Sequence, residues 1–82
     1  MSIEVEQLNK LFKGKRVNIT HSGNRFLKDR SGTCLTFHKT ETGVDIELTD
    51  ESRWGFVPDK LTTDSIEGDV GFATGRRKVE LA

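Results

Sequence analysis

Apolar residues recur along this chain in two rhythms, one helical and one extended. Over residues 3–13, Val5, Leu8, Leu11 and Phe12 return at spacings of three and four, which gathers side chains on one face of a helix. Ser2 is an acceptable N-cap residue, and Gly14 stands where such a helix stops. A helix of about ten residues is not stable alone, so its apolar stripe must dock against something. From residue 15 the rhythm becomes alternation. Residues 15–21 set Val17 and Ile19 on one side and Arg16, Asn18 and Thr20 on the other. A polar loop follows over residues 22–32, with turn signals at Gly23-Asn24 and Gly32. Residues 33–39 predict a second strand with Leu35 and Phe37 inward. Residues 44–49 predict a third, with Val44, Ile46 and Leu48 inward and Asp45, Glu47 and Thr49 outward. Between them, Thr40-Glu41-Thr42-Gly43 is a hairpin signal in which Gly43 suits the left-handed position of a G1 bulge.

Asp50-Glu51-Ser52-Arg53 marks a second hairpin turn, and residues 54–57 a fourth strand. Pro58 cannot donate to a ladder and disfavours helix at Val57. Residues 58–61 therefore predict one tight helical turn that drops Leu61 into the core. Residues 62–67 predict a short fifth strand that closes a barrel and removes its exposed edges. Residues 68–82 read as a hairpin or an extended arm. The expected organisation is a helix over residues 1–13 packed on a barrel over residues 14–67, followed by a C-terminal arm over residues 68–82. The predicted core is Val17, Ile19, Leu35, Phe37, Val44, Ile46, Leu48, Phe56, Val57 and Leu61.

The segments Gly14-Lys15-Arg16-Val17-Asn18-Ile19, the long loop closing at Gly32, the tight hairpin at Gly43 and Phe56-Val57-Pro58-x-x-Leu61 resemble SH3-like small β-barrels, in the broad sense that includes KOW and Tudor domains. The resemblance covers residues 14–67 and rests on fold grammar. It implies a mainly β, five-stranded SH3-like barrel whose outer loops bind a macromolecular partner. The type II dihydrofolate reductases share that fold and line a pore with a Val-Gln-Ile-Tyr run. This chain reads Arg53-Trp54-Gly55-Phe56-Val57 at the corresponding stretch and holds no tyrosine.

Eighty-two residues make one domain. The single cysteine, Cys34, forms no intramolecular disulfide, which points to a reducing, cytoplasmic setting. The acidic N-terminal stretch is not a signal peptide, and apolar runs no longer than two residues exclude a membrane-spanning helix. Net charge is zero, which argues against strong non-specific nucleic-acid binding. The charge is uneven, however. Residues 1–40 carry eight Lys/Arg against three Asp/Glu (8 − 3 = +5), and residues 41–82 carry five against ten (5 − 10 = −5).

Arg25, Phe26, Lys28 and Arg30 in the first long loop, with Trp54 on the fourth strand, form the primary candidate binding face. Cations beside aromatics suit an acidic protein segment anchored on Trp54, or a phosphate backbone with a stacked base. Arg76, Arg77 and Lys78 make a secondary basic cluster. His21, Cys34 and His38 are the only soft metal ligands. Cys34 and His38 share a strand face by parity, opposite Leu35 and Phe37, while His21 tends inward. Four residues of strand separate Cys34 from His38 by some 13 Å, so neither a metal site nor a Cys/His nucleophile pair is expected. No cofactor motif is present, and Gly68, Gly71 and Gly75 precede no helix that would make a phosphate loop. The expectation is a non-catalytic module that binds an acidic protein partner. The alternatives are a nucleic-acid binder of KOW or Tudor type and a subunit that self-assembles through its oppositely charged halves.

Overall fold

The computed structural model describes residues 3–71 and 73–82. Ser2, the expected N-cap, lies outside the described residues. Helix α1 spans Val5–Phe12 and is capped by Glu4 instead, in a capping box where Gln7 Oε1 accepts the Glu4 N–H at 2.9 Å. Leu8 and Phe12, one turn apart, are both buried, and the Phe12 ring lies 5.8 Å from that of Phe37. Asn9 sits between them on the same side of the helix. Its Oδ1 accepts the Phe37 N–H at 2.8 Å and the Thr36 hydroxyl at 3.3 Å. The helix thus covers apolar core and also supplies an acceptor for a strand amide.

Six strands follow: β1 Arg16–Ser22, β2 Arg30–Lys39, β3 Val44–Leu48, β4 Arg53–Leu61, β5 Ser65–Asp69 and β6 Arg76–Leu81. Each is antiparallel to its chain neighbours, and β6 returns to β1, giving a small closed barrel. The long strands β2 and β4 each serve two neighbours. β2 pairs with β1 over Arg30–Thr33 and with β3 from Cys34 onward. β4 pairs with β3 over Arg53–Phe56 and with β5 from Val57 onward.

The small barrel expected from alternation is present, with six strands rather than five. The tail, read as a hairpin or an extended arm, supplies the closing strand. β6 pairs with β1 on one side and β5 on the other. Its single fully buried aliphatic, Val79, lies between outward Lys78 and Glu80, so the segment carries too little apolar signal to announce a strand.

Three local expectations are corrected. Leu35 is 45 % exposed, and Cys34 takes the inward position. The register shifts between Cys34, opposite Leu48, and Thr36, opposite Glu47, and such a bulge reverses the side-chain parity on its far side. Pro58 does not start a helical turn. β4 runs straight through it, and the register shift between Pro58 and Lys60 is where a strand tolerates a residue lacking an N–H. In consequence Val57 is 38 % exposed and Leu61 packs at the edge of the core. Gly43 is not left-handed either. It is needed because a Cβ there would run into the Phe56 carbonyl oxygen and lie 3.0 Å from Val57 Cα. The left-handed residue of the next hairpin is Glu51, with φ 74°.

The core contains Val17, Ile19, Phe37, Val44, Ile46, Leu48 and Phe56 as expected, and adds Leu8, Phe12, Cys34, Ile66 and Val79. No helix among the described residues is long and apolar enough to cross a membrane.

Candidate interaction surface

At the end of the barrel where β1 finishes and β2 begins, the interior changes from apolar to polar. Arg77 is buried there, 2 % exposed. Its Nε donates to His21 Nε2 at 2.9 Å, and its Nη1 donates to the Gly55 carbonyl. A guanidinium only donates, so His21 Nε2 must be the acceptor and the ring proton sits on Nδ1. Nδ1 faces Asp29 Oδ1 at 3.4 Å, and the same oxygen accepts the His21 backbone N–H at 3.1 Å. Burial pulls the Arg77 pKa below its ordinary value, and the Asp45 carboxylate partly opposes that pull.

Trp54 borders this group. The guanidinium carbon of Arg30 lies 5.1 Å from its ring and that of Arg77 5.5 Å, both within cation–π range. Trp54 Nε1 donates to Ser52 Oγ at 3.0 Å. Arg30 also pairs with Asp50 at 2.7 Å. The Asp50 carboxyl is held below its usual range first by the hydroxyl and N–H of Ser52 and then by Arg30. Trp54 and Arg30 are therefore engaged within the molecule, and Trp54 packs against the core rather than standing out as an anchor.

Among the described residues, the exposed aromatic is Phe26, 77 % accessible. It rides on the loop between β1 and β2, whose tip is braced by Asn24. Asn24 Nδ2 donates to the Thr74 carbonyl at 2.8 Å, tying the loop to the β5–β6 turn. Asn24 Oδ1 accepts the Phe26 N–H at 2.9 Å, forming an Asx turn beneath the ring. Arg25 lies 5.2 Å from the Phe26 ring, and Lys28 is exposed nearby in the chain. Among the described residues, neither Arg25 nor Lys28 enters an ion pair.

The structure thus divides the predicted face. Arg25, Phe26 and Lys28 share one exposed loop, while Arg30, at the start of β2, stacks on Trp54 of β4. The secondary cluster is also separated, because alternate residues of β6 face opposite ways. Arg77 points inward, Arg76 is clamped by Asp59, Glu67 and Asp69 at 2.6, 3.2 and 3.1 Å, and Lys78 pairs with Glu80 at 3.5 Å. The Asp59 carboxylate foremost, and then Glu67, raise the Arg76 pKa. The cations of the first half do not gather either. Lys10, Lys13, Lys15 and Arg16 are exposed at the opposite end of β1 from Arg25 and Lys28, about 20 Å away by strand rise.

The three soft ligands sit in separate environments. His21 is inside the barrel mouth. His38 Nε2 contacts Glu47 at 2.6 Å. Cys34 lies in the core, on the opposite side of β2 from that expected, because of the bulge. Burial pushes the Cys34 thiol up to about 11 from an ordinary value near 9, with Lys13 pulling slightly the other way. Below about pH 9 the thiol is protonated in both folded and unfolded chains. Between about 9 and 11 only the unfolded chain loses that proton, so stability falls as pH rises. The full loss is about 2–3 kcal/mol. Denaturant midpoints measured from pH 8 to 11 are expected to fall more steeply for the native chain than for Cys34→Ala. Equal slopes would contradict the burial argument.

Sequence reading missed a cleft of about 560 Å³ on the side of the barrel where β3 meets β4. Its apolar surface comes from Val44, Phe56 and Val57, with Gly55 and Gly71 leaving it open and Asp45 at its edge. The glycines were the available signal, but a glycine in a strand announces close approach or open space alike. No protein-family model, curated protein or solved structure matches this chain.

Proposed function

We propose that this protein is a non-catalytic interaction module of the SH3-like small-barrel type, binding an acidic protein surface through the β1–β2 loop. Phe26 is the anchor, Arg25 and Lys28 steer the partner, and Arg30, at the start of β2, stacks on Trp54 of β4. The observation that carries this reading is the presentation of Phe26. A large apolar side chain is held 77 % exposed on a loop already ordered by Asn24. Such pre-ordering lowers the cost of association, about 0.5–1.5 kcal/mol for each side chain not newly immobilised. Burying a phenylalanine against a partner contributes about 1.5–3 kcal/mol. Zero net charge favours protein over nucleic acid, and two cations free of intramolecular ion pairs favour an acidic rim on the partner.

The test uses the immobilised chain as bait beside Phe26→Ala and Arg25→Glu. The native bait is expected to retain a protein that Phe26→Ala loses, with affinity reduced about 10- to 100-fold. Arg25→Glu is expected to weaken capture mainly at low salt. Capture indifferent to Phe26→Ala would refute the reading. Tight oligonucleotide binding with a steep salt slope would replace it with the nucleic-acid alternative.

A further inference from the structure

We infer that the cleft on the side of the barrel where β3 meets β4 receives the Phe26 side chain of a second copy of this chain, so that the protein self-associates knob into hole. This rests on the reading of Phe26 as an anchor and extends it by naming the receiving surface.

Of the three large apolar side chains exposed on the described surface, Phe26 projects from a braced loop and Val57 lines the cleft. A volume of about 560 Å³ is ample for one aromatic ring and lies in the range of small-molecule pockets. Its exposed apolar wall is Val57, with the nearly buried Val44 and Phe56 behind it, and Gly55 and Gly71 contribute no side chains of their own to the opening.

Charge matches as well. The knob carries Arg25 and Lys28, neither in an ion pair. At the cleft's edge Asp45 is already paired with Arg53 at 3.4 Å, so the carboxylate left to meet the knob is Glu41, in the hairpin tip between two lining threonines, Thr40 and Thr42. Glu41 has no ion-pair partner among the described residues.

Knob and cleft also flank one turn. Thr74 in the β5–β6 connection accepts Asn24 from the knob loop, while Gly71 in the same connection lines the cleft. The two features therefore belong to neighbouring parts of one end of the molecule, and two copies can approach through a single contact region.

The experiment measures solution mass by light scattering against concentration. The native chain is expected to rise above monomer mass. Phe26→Ala, which removes the knob, is expected to weaken association about thirtyfold or more. Val57→Arg blocks the hole with a charge at an exposed site. Gly71→Leu blocks it by volume, since a Cβ at Gly71 meets only Val57 Cγ2, at an ordinary 3.8 Å. Both are expected to be folded by circular dichroism and monomeric. Mixing Phe26→Ala with Gly71→Leu supplies one intact hole and one intact knob, and is expected to restore a one-to-one complex.

A native chain that stays monomeric at its highest soluble concentration would overturn the inference, as would a mixture of the two variants that fails to associate. Loss of association in Gly71→Leu but not in Phe26→Ala would assign the hole to a different occupant and likewise overturn it. If the native chain is monomeric while Phe26-dependent capture of another protein persists, self-docking fails and the interaction reading of the loop stands.

Discussion

Gly68→Ala is expected to abolish folding. Gly68 sits in β5 opposite Pro58 of β4 and Arg77 of β6, buried and pressed against the β4 backbone. A methyl group there would overlap the Val57 carbonyl oxygen and lie 2.5 Å from Val57 C and 2.7 Å from Pro58 Cα. All three are backbone atoms, so no side-chain rotation relieves the overlap. β4 and β5 must part, and their pairing from Val57 to Leu61 must loosen with them. A chain of this size has a total stability of about 4–12 kcal/mol, and a clash with backbone on this scale is of the same order. Circular dichroism of purified Gly68→Ala should show loss of the strand signal at temperatures where the native chain is folded. A folded variant within about 1 kcal/mol of native would contradict the described packing. Gly71→Leu, whose site is open, is the control for glycine replacement as such.

Phe12→Ala should be the most damaging truncation in the apolar core, costing about 3–5 kcal/mol. Among the described residues, Phe12 is the largest side chain that is fully buried, and it packs on Phe37 across the helix–barrel junction. Removing it opens a cavity and also loosens the docking that keeps an eight-residue helix ordered. Because Asn9 is on that helix, the acceptor for the Phe37 N–H is weakened with it. Denaturant unfolding should show a lower midpoint. Hydrogen exchange should accelerate at the Phe37 amide more than at Ile46, which is held within the ladder of β3 and β4. Equal acceleration at both amides would mean that helix and barrel unfold only together.

Strand β3 was readable because Val44, Ile46 and Leu48 alternate without interruption with Asp45 and Glu47, and its burial follows that pattern. The same reasoning failed for Leu35. One extra residue in β2 reverses the parity, and no residue type at that point signals a bulge. Pro58 was misread for a related cause. Its missing N–H fits a helical turn and a strand bulge equally, and the choice is made by β5 pairing from another part of the chain. β6 was obscured because one of its inward positions is Arg77, whose burial depends on His21 and Gly55, distant in sequence.

The candidate surface was legible in a similarly partial way. Arg25, Phe26 and Lys28 could be placed together on one loop from composition alone. Composition does not reveal which cations are already spoken for, so Arg30 and Arg76 looked as available as Lys28 until Asp50 and the Asp59–Glu67–Asp69 group were located. Trp54 looked like an anchor for the same reason. Its neighbours Arg30, Arg77 and Ser52 come from three other parts of the fold.

The pairing of β6 with β1 joins Val17 to Leu81, so the first strand made is among the last to be satisfied. During synthesis the ribosome must release residue 81 before this seam can be sewn. Until then the nascent chain presents two open β edges, on β1 and β5, in a crowded polysome where other copies emerge alongside. Until β6 is available, the two strand edges that it will cover remain open to pairing with another chain.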